Sequence, residues 1–295
     1  MNRQTILSPL DAALWAVFGL VLTFLFLPLV VVIPISFTPG TVIQFPPDGL
    51  SLRWYRDALE DERWRQALWV SVRLGISVAV VTTVLGLGAA LALTRFVSHG
   101  KTFIRTLVLA PLIVPVIITS IAVFDIFTRT GLARTFLGLV IAHTIIAVPF
   151  AVIILESALR RFDVSLEEAA ISLGASPLGA FCRITLPILA PALLASLVFS
   201  FVTSWDEVVL VVFLGGATNQ TLPLRMFEFL ESNIRPTVAA ISTALILATI
   251  GGILAYYSST TAVGMLRRWR ATQVRRELQW EKTDTTHATK TGRNQ

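Results

Sequence analysis

The hydrophobic and polar positions of this sequence are segregated into long segments. Six long stretches contain few charged residues, and the short stretches between them hold most of the charge. An α-helix rises about 1.5 Å per residue, so about 20 apolar residues cross a hydrocarbon core about 30 Å thick. The pattern predicts six transmembrane helices, over residues 12–37, 67–93, 103–127, 135–157, 188–214 and 237–264.

The composition agrees with a membrane protein. Of the 295 residues, 55% are hydrophobic and 14% are charged, whereas about a quarter of the residues in a typical soluble domain are charged. We therefore expect an all-α membrane protein. Two flanking segments complete the predicted domain organisation: a cytoplasmic N-terminus over residues 1–11 and a basic cytoplasmic tail over residues 265–295, which we expect to be poorly ordered. The six-span domain fills residues 12–264.

The formal net charge of +6 does not indicate nucleic-acid binding. The basic residues flank the apolar stretches and fill the tail, where membrane orientation and anionic lipid headgroups account for them. The positive-inside rule places both termini in the cytoplasm. The first stretch is too long for a signal peptide and lacks a following small-residue cleavage site, so we expect it to be a retained span.

Two shorter features change this picture little. Residues 51–66 combine aromatic and charged side chains, which predicts a short helix at the outer membrane interface. Cys182 is the only cysteine, and the three histidines are scattered. We therefore expect no disulfide, no metal site and no cofactor.

The polar segment between the fourth and fifth stretches, residues 158–187, predicts two short helices joined by a tight corner. Ser165 and Glu168 have the spacing of a capping box. Gly174 stands where the first helix would end in a left-handed conformation. Ser176 and Pro177 supply an N-cap and a proline at the first position of the second helix.

This segment resembles the EAA motif of permeases from binding-protein-dependent ABC importers, EAA-x3-G-x9-I-x-LP. Every spacing fits, and the matching residues are Glu168, Ala169, Ala170, Gly174, Ile184, Leu186 and Pro187. The resemblance implies that the segment is the coupling loop received by a cleft in a cytoplasmic ATPase subunit. It also implies that Glu168, Ala169, Ala170 and Gly174 form the ATPase contact.

The resemblance covers nearly the whole chain. The runs at residues 159–176, 204–209 and 221–243 are similar to the second permease of spermidine/putrescine-type importers. It implies a type I ABC importer bundle in a bacterial inner membrane, paired with a second, homologous permease as a heterodimer. Two ATPase subunits and a periplasmic solute-binding protein complete the implied assembly, which would import a polyamine by ATP-driven alternating access. An opine, an amino-acid derivative or an organophosphonate is the alternative solute.

The resemblance also implies that this chain carries no catalytic residues. Gly100-Lys101-Thr102 looks like the end of a phosphate-binding loop, but Arg95 stands where its first glycine is required. Ser120 and His143 could serve an intramembrane protease, but no supporting motif accompanies them. A passive channel would need no coupling loop.

Ionisable residues within spans are costly and indicate functional sites. The candidates for the substrate path are Asp206, Glu207 and Asp125, with Trp205 beside the first two. Adjacent carboxylates suit a cationic amine. The alternative is that one caps a helix or pairs with Arg225. Two further pairings are expected: Glu156 with Arg160, and a buried Arg73 with a carboxylate.

Overall fold

A computed structural model describes residues 9–96, 99–232, 235–255 and 258, and all regular secondary structure in these residues is helical. The long helices are α1 (Pro9–Ile35), α3 (Glu62–Leu91), α6 (Phe136–Arg161), α9 (Leu186–Asp206) and α12 (Thr237–Ala255). The shorter ones are α2 (Arg53–Glu60), α4 (Lys101–Leu109), α5 (Val116–Thr130), α7 (Ser165–Ser172), α8 (Pro177–Ala180), α10 (Val209–Leu214) and α11 (Leu222–Ser232). The π-helical turns Ala92–Phe96 and Phe181–Thr185 extend α3 and precede α9.

Five described helices are long and apolar enough to span a membrane, and a bent pair makes a sixth if its two halves count as one span. The predicted all-α membrane fold is thereby confirmed. The sixth predicted span is helical to Ala255, and its last residues lie outside the described part of the chain, as does the tail 265–295.

The third predicted span is not one straight helix. A 3₁₀ turn at Ala110–Leu112 follows α4, and the axis then turns by 98° into α5. Pro111 lies in that turn, and Pro115 is extended at the start of α5, with φ −54° and ψ 130°. Proline has no backbone N–H to donate and a fixed φ, so it ends the first helix and starts the second.

The fifth predicted span is also divided. Helix α9 ends at Asp206, and Glu207 is extended (φ −79°, ψ 106°) before α10 begins at Val209. The continuous helix expected over 188–214 is therefore wrong. The apolar run hides the break because residues 208–214 suit a helix as well as those before them.

The expected interfacial helix over 51–66 is likewise two elements. Helix α2 ends at Glu60, and Asp61 caps α3 by accepting a hydrogen bond of 2.8 Å from the Arg63 N–H. Trp64 therefore belongs to the second span, where it is buried and contacts Phe229 edge to face. This tryptophan packs inside the protein instead of lying in the membrane interface.

Residues 55–235 form one compact unit, in which α3, α6 and α9 pack side by side. An apolar cluster closes each end. One joins α3 and α6 to α5, α10 and α11 through residues such as Leu74, Phe127 and Leu210, and the other joins α3, α6 and α9 through Ala90, Leu155, Leu159 and Leu189.

Close helix contact in this unit depends on glycine. A Cβ on Gly86 would lie 2.6 Å from the Ala151 Cβ, so α3 and α6 touch there only because the side chain is absent. Polar side chains also meet between the helices: the Thr83 and Ser196 hydroxyls are 3.0 Å apart, and the Ser204 hydroxyl is 3.0 Å from His143 Nδ1.

The described residues up to 54 and from 236 onward form the other compact unit, which contains α1 and α12. The Trp54 indole is buried and donates to the Thr38 carbonyl at 2.8 Å, which fixes the segment that follows α1. Helix α1 is exposed from Leu10 to Val30 at every residue whose burial is described. A helix that is apolar and exposed along this length suits a lipid environment.

Candidate functional site

The loop from Phe162 to Thr185 lies within the predicted coupling loop of residues 158–187 and keeps that name below. Its first helix is preceded by a hydrogen bond that the sequence pattern did not predict. Val164 precedes α7 without a side-chain cap, and the Asp163 carboxylate accepts from the Ser165 N–H at 3.0 Å. The capping box of Ser165 and Glu168 is therefore wrong. Hydrogen bonds from the Ser165 hydroxyl and backbone lower the pKa of the Asp163 carboxyl.

The corner of the coupling loop has the predicted geometry. Gly174 has φ +95°, a conformation that side chains disfavour, and a Cβ built there would meet no atom within 4 Å. Ser176 caps α8 by accepting from the Gly179 N–H at 3.1 Å, with Pro177 at the first helical position. The corner therefore projects into open space and is held by its own hydrogen bonds.

The surface around the corner is apolar and exposed. Leu173 is 89% exposed and Leu178 is 72% exposed. Glu168 and Ala169 are also exposed, whereas Ala170 is half-buried. Exposed apolar side chains on a polar loop are typical of a docking surface.

The remaining motif residues lie apart from the corner. Ile184 belongs to the π turn, and Leu186 and Pro187 begin α9. Ile184 and Leu186 are half-buried, so they fix the start of the fifth span. The motif thus has one part in the exposed corner and another at the entry to the span.

The coupling loop also contains a buried carboxylate that the sequence pattern did not predict. The side chain of Glu167 accepts from Arg95 Nη1 at 2.8 Å and Nη2 at 3.3 Å, and also from the Thr185 hydroxyl. The Arg95 guanidinium also lies 5.7 Å from the Phe162 ring centroid. The one sequence signal for this burial was the adjacent pair Glu167-Glu168. Successive positions of a helix face different directions, so the two glutamates cannot share the same surroundings.

A second buried carboxylate was predicted in part. Glu156 is bound by Arg160 at 2.6 Å, one helical turn on, which confirms that pairing. Arg105 of α4 adds a contact of 3.4 Å, which ties the start of the bent pair to α6. Arg73, in contrast, is exposed and lies 3.8 Å from the Phe136 ring centroid. Its expected burial against a carboxylate is wrong.

At the far end of α9, the bend between α4 and α5 forms a concave pocket of about 400 Å³. This bend pocket is lined by Pro111, Leu112, Ile113, Val114, Pro115, Val116, Ile146, Phe150, Thr203 and Glu207. Glu207 is half-buried, and one of its oxygens accepts from the Leu210 N–H at 3.0 Å, which caps α10. The carboxylate thus caps a helix and lines a pocket at once.

The other predicted substrate-path residues do not converge on the bend pocket. Asp206 is exposed and is not part of its lining, and Asp125 is exposed and pairs with Arg129 at 3.0 Å. The Trp205 ring stacks on Phe201, with centroids 5.6 Å apart. Of the four candidates, only Glu207 lines the bend pocket.

Arg225 does not pair with these carboxylates. Its guanidinium lies 4.0 Å from Asp61 and over the Trp64 ring, 4.9 Å from the centroid. Partial burial lowers the pKa of Arg225.

The structure offers no pairing for the protease alternative. The Ser120 hydroxyl donates to the Val116 carbonyl at 2.8 Å, while His143 bonds to Ser204, so the two candidate groups have separate partners. No group of three or more metal-ligating side chains occurs among the described residues.

Comparisons with known proteins agree with this geometry. A family model described as the binding-protein-dependent transport system inner membrane component matches residues 82–264, which include the coupling loop and α9. The putrescine transport system permease protein PotI of Escherichia coli (strain K12) is 32% identical over 270 residues, which cover 87% of this chain and 92% of PotI. The spermidine/putrescine transport system permease protein PotC of the same strain is 29% identical over 79% of this chain and 88% of PotC.

A solved structure shares the fold. A chain of the bacterial alginate ABC transporter, crystallised with an alginate pentasaccharide-bound periplasmic protein, matches 84% of this chain and 91% of its own length. The TM-score is 0.64 at 16% identity. With the family match over most of the sequence, these findings identify the protein: it belongs to the binding-protein-dependent transport system inner membrane components, the permease subunits of ABC importers.

Proposed function

We propose that this permease admits a polyamine such as putrescine or spermidine into the cytoplasm, and that the bend pocket is part of the solute path. The observation that carries the proposal is the Glu207 carboxylate, which lines the pocket, whereas no arginine or lysine is found among the described residues of the lining. A carboxylate in a partly desolvated pocket attracts a cationic amine more strongly than it would in water. The kinship with PotI and PotC supports the same solute class.

The shape of the bend pocket also suits a small amine. Its volume of about 400 Å³ falls within the usual range for small-molecule sites. Eight of its ten lining residues are apolar, Thr203 and Glu207 supply polar side chains, and polar and apolar atoms contribute similar shares of the surface. Methylene groups of a polyamine can contact the apolar wall while an ammonium group meets Glu207. An organophosphonate would bring a negative charge to this carboxylate and is disfavoured.

ATP-driven movement would reach the pocket through the coupling loop. The exposed side chains of Leu173 and Leu178 flank the Gly174 corner, and this apolar surface suits docking into an ATPase cleft. In the assembly that we propose, two ATPase subunits dock beneath this chain and a second, homologous permease. A periplasmic binding protein delivers the solute, and both termini face the cytoplasm, as the distribution of lysine and arginine predicts.

Uptake of radiolabelled putrescine and spermidine, in cells that lack only this chain, tests the solute. Uptake that falls and is restored by the intact chain, but not by Gly174→Asp, would support the proposal. Unchanged uptake would contradict the polyamine assignment. The family membership would then direct the search to opines and amino-acid derivatives.

A further inference from the structure

Two adjacent glutamates of α7 have opposite surroundings. Glu167 is 8% exposed and is bound by three donor groups on two side chains. Glu168 is exposed, and its carboxylate has no hydrogen-bond partner within the part of the chain that the structure describes. The motif glutamate is therefore free to meet another protein, while its neighbour is committed within this one.

The partners of Glu167 come from two different spans. Arg95 lies in the π turn Ala92–Phe96, which continues α3, and Thr185 ends the π turn Phe181–Thr185, which leads into α9. They are separated from Glu167 by 72 and 18 positions in the sequence. One carboxylate in the coupling loop thus joins the end of the second span to the start of the fifth.

The geometry of this link restricts relative movement of the groups that it joins. An arginine that binds both oxygens of a carboxylate holds it in direction as well as distance. The link is mostly removed from solvent: Thr185 is fully inaccessible, and the Arg95 side chain is 23% exposed. Both partners lie in π-helical turns, which are rare and frequently occur at functional sites.

We propose that Glu167 is a positioning residue that fastens the coupling loop to the second and fifth spans together, so that displacement of the loop moves both helices as one body. Helix α7 packs directly against α8 and the Phe181–Thr185 turn. Arg95 extends that contact to α3, which packs along α6 and α9 and reaches the apolar cluster around Leu74 at its other end. This inference rests on the proposed docking of an ATPase to the coupling loop, and it assigns a separate role to the residue beside the docking surface.

The test compares Glu167→Gln with Glu168→Gln in the complete complex, purified with its ATPase subunits. These variants make the same chemical change at neighbouring positions, one buried and one exposed. Three quantities are measured: the ATPase that co-purifies with the permease, import by the reconstituted complex, and the hydrogen-exchange response to a non-hydrolysable ATP analogue. The exchange is followed in the coupling loop and in residues 186–206.

We expect Glu167→Gln to retain the ATPase and the exchange response of the loop, but to lose the response of residues 186–206. Import per ATP hydrolysed should fall about tenfold. Glu168→Gln should instead lower the amount of bound ATPase. Thr185→Val, which removes one bond and leaves the arginine pair, should give an intermediate loss of the helix response, and Thr185→Ser should restore it.

A Glu167→Gln complex whose residues 186–206 still respond to the analogue would overturn this inference, as would loss of the bound ATPase in that variant. Co-purification and hydrogen exchange require no knowledge of the solute, so a failure of the polyamine assignment leaves this test valid. If the intact chain captured no ATPase, the proposed coupling function would fail and the inference would fall with it.

Discussion

Two pairs of adjacent carboxylates lie near opposite ends of α9, and their surroundings differ. Near its start, Glu167 is bound by Arg95 and Thr185, so its charge is compensated within the chain. At its end, Glu207 receives a backbone N–H and has no cation within 4.0 Å among the described residues. A buried carboxylate that is paired holds structure, whereas one that lacks a cation can attract a ligand.

The other residue of each pair, Glu168 near the start of α9 and Asp206 at its end, is exposed. At the coupling loop, the exposed residue is the candidate for contact with another protein, and the buried residue is the one that we propose as the link to the spans. At the bend pocket, the partly buried residue is the candidate for contact with solute. Burial alone therefore does not distinguish a structural carboxylate from a candidate ligand-binding one. The distinction depends on whether a cation within the chain pairs with the carboxylate.

The largest effect is expected at the corner of the coupling loop. Gly174→Asp should reduce uptake about 100-fold or more, a loss comparable to that at a binding hot spot. Its side chain has open space in the free chain and would meet only a docked partner. Uptake in whole cells, with the inserted protein quantified on the same samples, measures this loss.

Two variants separate docking from backbone strain and from added charge. Gly100→Asp places the same side chain at another positive-φ glycine with open space, φ +72°, outside the motif, and should retain uptake. Gly174→Asn has nearly the same size and the same tolerance of positive φ as Gly174→Asp, but it carries no charge. Full recovery of uptake in Gly174→Asn would show that the added charge, not steric exclusion from the docking corner, causes the loss.

The next effect is expected at the bend pocket. Glu207→Gln should raise the KM for putrescine about tenfold, or ~1.4 kcal/mol, because it removes the charge that meets an ammonium group. Glutamine keeps a side-chain oxygen that can still accept from the Leu210 N–H, so the cap on α10 remains. Concentration-dependent uptake of radiolabelled putrescine measures the KM.

Asp206→Asn is the matched control for this change. Asp206 is exposed and does not line the bend pocket, so its replacement should change the KM less than Glu207→Gln does. Equal effects of the two variants would assign the attraction to the general negative charge at this end of α9. No effect from either would remove the bend pocket from the solute path.

Local sequence signals predicted much of the fold. Apolar runs located the spans, because spanning a membrane depends on the length and hydrophobicity of a single segment. The same signal could not show that α9 stops at Asp206, since the residues that follow are equally apolar. The prolines at positions 111 and 115 were visible, but many transmembrane helices tolerate proline, so the 98° bend was not foreseen.

The candidate sites divide in the same way. Gly174 and the Ser176 cap were predictable because turn chemistry depends on neighbouring residues. The contact of Glu167 with Arg95 joins residues 72 positions apart, and no spacing within one sequence indicates it. The bend pocket likewise depends on how α4, α5 and α9 come together in space. Contacts between distant segments were the part that a single sequence could not supply.

The smallest effect is expected at Asp163, an exposed carboxylate four positions before the buried Glu167. Its lowered pKa means that the ionised form is favoured by the hydrogen bonds from Ser165. The stabilisation is therefore present above the ordinary pKa of 3.8 and is lost as the pH falls through the lowered value.

Asp163→Asn removes the charge but keeps an oxygen acceptor, so α7 should fray slightly at neutral pH. The amide exchange rates of Ser165 and Leu166, as a ratio of variant to wild type, should exceed one at pH 7 and approach one in acid. A ratio that stays constant with pH would show that the carboxylate charge does not stabilise the start of α7.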